Sequence, residues 1–250
     1  MNAEIHFLNV INTPVDWKSI RKEQEKNFPE TIHEIGRVKA ELSSLERTAH
    51  SAWIESKTFM LFDVGQDEII NHINEHHYYL IIMGSHGAKG FKELIGSNTQ
   101  RIVRYSPAPV LVIKNKLKNL SIKNIVFAST WDEDINKQLE QIIRFSENFS
   151  AKLHLLYVNL PDNSKEIIEI ESIMKTYMRD FTTINFTMNI YDSINEEQGI
   201  IQFSKIIDAD IIGMITHGKS GFKQLISPSL TESIVNHSLI PILSVNLNAR

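Results

Sequence analysis

GSHGAKGFKELIGSNTQ, from Gly84 to Gln100, follows directly on the apolar run YYLIIM. Glycine supplies four of the thirteen residues from Gly84 to Gly96. Glycines at the end of an apolar strand let the backbone turn tightly and approach a ligand closely, with N–H groups pointing inward. A second stretch, ITHGKSGFKQLISPSLTE from Ile215 to Glu232, repeats this wording with two glycines replaced.

The likeness extends well beyond the loop. Aligning Gly84–Lys114 with Ile215–Asn246, with one gap after Ile95, gives fourteen identities over about thirty positions. They include His86/His217, Gly87/Gly218, Thr99/Thr231, Ser106/Ser238, Pro109/Pro241 and Leu111/Leu243. Upstream, AEIHFLNVIN (Ala3–Asn12) matches AKLHLLYVNL (Ala151–Leu160). A period of about 131 residues is a domain duplication rather than a solenoid. The repeats divide the chain into residues 1–116 and 123–250, joined by the basic linker KNKLKNLSIK.

Periodicity gives the elements. In the first copy we expect a strand at 3–12, a helix over 30–51, a strand over 53–62, a helix over 66–75, a strand at 78–84, a helix over 98–105 and the strand PVLVIK. In the second we expect strands at 124–129, 151–159, 184–192, 209–216 and 241–246, with helices at 134–149, 164–179, 195–207 and 230–238 between them. Such alternation predicts α/β architecture: tandem parallel sheets flanked by helices. The second copy opens with a strand and helix, KNIVFAS and the segment from Asp134, that have no counterpart in the first.

Composition narrows the function. The net charge of −4 argues against a nucleic-acid or anionic-membrane binder. With no cysteine, thiol catalysis and cysteine–zinc sites are ruled out. No apolar run approaches the roughly 20 residues of a membrane span, and MNAEIHFLNV is no secretory signal, so a cytoplasmic location is expected. The chain contains no G-x-G-x-x-G. Ser97-Asn-Thr-Gln100 reads as a capping box opening a helix, and helix starts attract phosphate. His86 and His217 read as turn residues, Asp132, Glu133 and Asp134 as helix caps, and Trp131 as a space filler. We expect no catalytic residue and no metal site.

The segment MGSHGAKGFKELIGSNTQRIVRYSPAPVLVIK resembles the universal stress protein family, whose motif G-x2-G-x9-G-[ST] joins strand 4 to helix 4 of a five-stranded, Rossmann-like α/β domain. Nearly the whole chain resembles a tandem member. The resemblance implies sheet order 3-2-1-4-5 and an adenine-nucleotide site of the kind that holds ATP in some members. Loop glycines and the final Ser/Thr would hold the phosphates; an Asp ending strand 1 and backbone near the end of strand 2 would hold the adenosine. In the first copy this maps onto Val10, Met83, Gly84, His86, Gly87, Gly96, Ser97 and Asn98, with one residue fewer between Gly87 and Gly96 than the family has. In the second, Gly218 and Ser229 remain, but Ile215 and Pro228 replace glycines and Thr130 stands where the Asp is expected.

The resemblance therefore implies a non-enzymatic stress-response module that binds ATP, with or without magnesium, weakly through the first copy. The alternative is a slow ATP hydrolase or nucleotide-dependent switch. The two copies should form an intramolecular pseudo-dimer through PVLVIK and PILSVN, with a homodimer possible. The absent first strand, read as a truncation of a longer protein, leaves three outcomes: strands 2 and 4 close up, another chain donates a strand, or the missing segment lies upstream.

Overall fold

The computed structural model describes residues 3–63, 68–85, 96–115, 121–163, 166–216 and 230–247. No helix among them is long and apolar enough to cross a membrane. The chain divides into two compact units, Met1–Glu75 and His76–Arg250.

The first unit pairs β1 (Ile5–Asn12) with β2 (Ser56–Asp63) in parallel, Ile5 opposite Ser56 and Asn12 opposite Asp63. Between them runs α1 (Pro29–Ser51), opened by a proline whose missing N–H costs nothing at a helix start. Val38 and Leu42, one turn apart, pack on Ile11, with Phe7, Met60 and Phe62 around them. The strand expected from Trp53 begins later, at Ser56, because the chain reverses first. Trp53 takes a left-handed φ of 59° and is 95% exposed, and Ile54 N–H bonds back to the Ala49 carbonyl. The helix α2 (Glu68–His76) completes this segment.

In the second unit β5 (Asn124–Ala128), β6 (Lys152–Asn159), β7 (Phe186–Asp192), β8 (Ile211–Thr216) and β9 (Ile242–Asn246) stand in the order β7-β6-β5-β8-β9, all parallel. This is the 3-2-1-4-5 order expected of the second copy. Helices α4 (Asn136–Asn148), α5 (Ile167–Met178), α6 (Glu196–Ile206) and α7 (Leu230–His237) connect the strands. Central strands buried on both faces must be apolar throughout, and Ile125, Val126, Phe127, Leu153, Leu155 and Leu156 all lie beyond the reach of solvent.

Two strands of the first copy extend this sheet. β3 (Ile81–Gly84) pairs in parallel with β4 (Val110–Ile113), and α3 (Ser97–Tyr105) links them. β4 then pairs antiparallel with β9, giving the seven-stranded order β3-β4-β9-β8-β5-β6-β7. Leu111 sits opposite Leu243, its own counterpart in the repeat, so a pseudo-two-fold axis passes through that pair. Flanking bonds obey the same symmetry. Asn246 Nδ2 donates to the Arg104 carbonyl at 2.9 Å, and Lys114 Nζ donates to the Asn236 carbonyl. Arg104 pairs with Asn236, and Lys114 with Asn246, in the repeat. Burial holds the Lys114 ammonium below its ordinary pKa. Arg104 adds an unsymmetrical ion pair with the buried Glu232 at 2.9 Å.

The repeat also accounts for what is uneven. β5 ladders with both β6 and β8, and the first copy has no element corresponding to it. Among the described residues β1 pairs with β2 in the first unit and β3 with β4 in the second. The strands that would flank the missing one are more exposed than their counterparts. β8 is buried at five of six positions and β6 at six of eight, whereas β1 is buried only at Ile11 and β3 nowhere.

Leu243→Ala, at a fully buried position on the axis, is expected to cost about 2–5 kcal/mol in urea denaturation. A pH dependence arises at His154, on β6. Its Nδ1 accepts from the Thr187 hydroxyl at 2.8 Å and its Nε2 donates to Asn124 Oδ1 at 3.3 Å. Burial, and secondarily the charge of Lys152, push its pKa down. The folded state thus favours neutral imidazole. Its contribution is full above the ordinary histidine pKa and is lost as pH falls toward the lower folded value. Denaturation midpoints should drop across that acidic window, and His154→Gln should flatten the slope.

Candidate functional site

β3 delivers the chain to Gly84 and then to Ser85, which is buried. The description resumes at Gly96, and the two ends of the intervening segment are tied together. Gly96 N–H donates to the Ser85 carbonyl at 2.9 Å. Thr99 Oγ1 shares its proton between the Gly84 carbonyl at 3.2 Å and the Ser85 carbonyl at 3.3 Å. In the second copy Thr231 Oγ1 donates likewise to the carbonyl of Ile215, the counterpart of Gly84, at 3.2 Å. This buried threonine fixes the start of the helix against the end of the strand. Sequence reading recorded the Thr99/Thr231 identity but gave it no role; the signal was a small hydroxyl repeated in the first helical turn.

The tie creates a specific chemistry at the start of α3. The first helical bond runs from Gln100 N–H to the Gly96 carbonyl, so the amides of Ser97, Asn98 and Thr99 have no acceptor inside the helix. The capping box expected of Ser97 does not form. Ser97 is already the first helical residue, and the cap is Gly96, extended at φ −64° and ψ 151°, with no side chain to offer. That conformation is open to any residue, so glycine is not imposed there by backbone angle. The consequence is electrostatic: an uncapped start leaves its partial positive charge available to an anion. Ser97 is exposed, Asn98 and Gly96 are half-buried, and Arg101 follows one turn on. Met83, Gly84, Gly96, Ser97 and Asn98 are thereby brought together at one strand-to-helix junction.

Val10 lies in the first unit, half-buried on β1 and in register with Leu61. His86, Gly87, Gly218 and Ser229 fall outside the described residues.

The second copy is closed where the adenosine side was expected. Thr130 is exposed just beyond β5. The next residue, Trp131, turns back with a left-handed φ of 62° and buries its indole to 3% exposure. Its Nε1 donates to the Leu156 carbonyl on β6 at 3.2 Å, and its backbone N–H donates to Ser129 Oγ at the same distance. The ring meets Phe127 edge-on at 5.6 Å between centroids and leans on Tyr177 at 5.8 Å. Tyr177 in turn donates its hydroxyl to the Glu133 carbonyl at 2.6 Å. Trp131 is thus the space filler the sequence suggested, and it covers backbone in the middle of the second copy's strand 2. Asp134 accepts from Asn136 N–H at 3.2 Å but is not the cap expected of it, because the helix starts at Asn136 and Ile135 holds the cap position with no side-chain bond.

Comparison with known proteins agrees with this architecture. The model of the universal stress protein family matches residues 1–114 and 187–246. The chain is 24% identical over 216 residues to universal stress protein Slr1230 of Synechocystis sp., covering 83% of this chain and 71% of that protein. It is 30% identical over 79 residues to universal stress protein MJ0577 of Methanocaldococcus jannaschii, spanning 31% of this chain and 49% of that one. Among solved structures, a universal stress protein from Archaeoglobus fulgidus superposes with a TM-score of 0.73 at 21% identity, covering 97% of this chain and 87% of that chain.

The Trp131 plug can be tested directly. Trp131→Ala is expected to cost about 3–5 kcal/mol, as for other buried tryptophans. Trp131→Phe keeps most of the packing and loses the Leu156 bond, so it should cost only about 1–2 kcal/mol. Equal costs in chemical denaturation would mean the ring is not packed as described.

Proposed function

Since the chain belongs to the universal stress protein family, we propose that it is a non-catalytic, cytoplasmic stress-response module that binds an adenine nucleotide through its first copy. The observation carrying this reading is the uncapped start of α3, held by Thr99 beside the end of β3, with the open amides of Ser97, Asn98 and Thr99. A phosphate group satisfies such amides and the helix dipole together. Ser97 and Asn98 add side-chain donors there, and the glycines of the Gly84–Gly96 stretch belong to the same junction by sequence. ATP, alone or with magnesium, is the candidate ligand. The second copy contributes no nucleotide site in this reading, because Trp131 fills its adenosine side and Thr130 replaces the acid.

Titration of Mg–ATP into the full chain by calorimetry tests the reading. Wild type should bind with one site per chain, and Ser97→Asp should weaken binding by about tenfold or more, because a carboxylate then competes for the same amides. The same change puts an acid in the first turn, where it stabilises a helix by about 0.3–1 kcal/mol, so the denaturation midpoint should hold or rise. Unchanged affinity in Ser97→Asp would remove the phosphate from this junction. Release of inorganic phosphate on prolonged incubation would favour the slow hydrolase instead.

A further inference from the structure

The seam between β4 and β9 has the form of a two-fold contact, yet its two sides are not interchangeable. Such a contact can join first copy to second, first to first, or second to second. The backbone does not separate these choices. The Pro109 and Ile113 carbonyls bond toward β3 and the Pro241 carbonyl toward β8, so by strand alternation Val110 and Val112 face β9 while Ile242 and Ser244 face β4. Leu111 and Leu243 are left as a directly opposed pair on the axis. Leucine stands there in both copies, so like pairing would keep that contact.

The flanking helices do discriminate. Arg104, in the last turn of α3, donates from Nε and Nη2 to Glu232 Oε1 on α7, both at 2.9 Å. The Glu232 side chain is 7% exposed and that of Arg104 33%, so the pair is largely withdrawn from water. In the repeat Arg104 corresponds to Asn236, Glu232 to Gln100 and Lys114 to Asn246. The symmetry mate of the ion pair is therefore a neutral combination of Asn236 with Gln100. A first-to-first seam would gather two Arg104 and two Lys114 side chains, with Gln100 in place of each acid. A second-to-second seam would bury two Glu232 carboxylates opposite Asn236 and supply a guanidinium to neither. A charge left without its opposite in a dry contact is strongly destabilising, and that is how an ion pair selects among alternative contacts.

We propose that Arg104 and Glu232 code the seam for pairing of the first copy with the second, and exclude association of two chains through like copies at β4 or β9. Residues 114–123 join the copies, so the unlike partner at high local concentration is the one in the same chain. Ser97 and Asn98 lie at the opposite end of α3, and the code stands whether or not a nucleotide binds there.

The full chain contains no cysteine, so introduced thiols report the seam cleanly. Directly opposed residues of an antiparallel pair stand close enough for a disulfide. Oxidised Leu111→Cys/Leu243→Cys should close within one chain. Leu111→Cys alone closes only between two chains, and at this seam only when first copies meet. With the wild-type charges that dimer should be scarce on non-reducing electrophoresis. Arg104→Glu sets two carboxylates against each other within the chain and removes the cation excess from the first-to-first contact, so it should raise the Leu111→Cys dimer by about tenfold or more. Adding Glu232→Arg to Arg104→Glu restores an opposite pair and should return the dimer to its wild-type level. Glu232→Arg alone also opposes like charges, but it leaves the cations of the first copy in place and should not raise the dimer. Hydrogen exchange at the Val110 and Val112 amides, in chains without the cysteine, should quicken with either single charge change and recover in the pair. A dimer yield insensitive to Arg104→Glu, or one that Glu232→Arg does not bring back down, overturns the proposal. An equal rise with Glu232→Arg alone overturns it in favour of simple loosening of the seam. Abundant Leu111→Cys dimer with the wild-type charges overturns it in favour of like pairing in solution.

Discussion

The antiparallel meeting of β4 and β9 is the constraint on which the second unit rests. It brings Leu111 against Leu243 and joins two sets of parallel strands into one sheet. Two parallel sheets can be fused at their edges without violating backbone hydrogen bonding only if their outermost strands run in opposite directions or in matching ones with correct register. A two-fold relation guarantees the first. The symmetrical bonds of Asn246 to Arg104 and of Lys114 to Asn236 then seal the same seam from either side. Without this seam β3 and β4 would be a two-stranded ribbon, which is marginal in water on its own. With it, a four-residue strand pair inherits the stability of a five-stranded core.

The same seam separates the two fates of the first copy. Its strands 4 and 5 travel with the second unit, while its strands 2 and 3 keep a smaller core around Ile11, Val38 and Leu42. In the second copy one central strand, β5, bonds to both halves of its sheet. A duplicated fold thus displays, within a single polypeptide, what that central strand contributes. Where it is present, residues on both neighbours are buried. Where it has no counterpart, the neighbouring strands belong to different compact units and are half-exposed.

Much of this was legible in the sequence. Periodicity located the strands and helices to within a few residues, and the family resemblance foretold the seam between PVLVIK and PILSVN. The repeat itself announced the missing strand. Local backbone conformation was harder to read. Trp53 looked like the start of a strand because tryptophan is a strand former, but a left-handed turn precedes the strand and overrides that preference. Ser97 looked like a cap because of Gln100 three residues on, but the helix begins one residue earlier than that pattern requires. Thr99 was visible only as an identity. Its role depends on two carbonyls fourteen and fifteen residues away in the chain, a distance no local pattern reports. Trp131 could be suspected from size alone, whereas its bond to Leu156 could not.

The attachment of α3 to β3 through Thr99 has a thermodynamic consequence. β3 is the shortest kind of strand in the sheet, bonded on one side only, and it therefore lies at the low end of the local opening energies that a native protein spans. The start of α3 cannot keep its geometry if Gly84 and Ser85 leave their places. Whatever engages the amides of Ser97 and Asn98 consequently acts against the fraying of β3, and whatever orders β3 prepares those amides. A rim strand and a helix start thus share one local folding equilibrium.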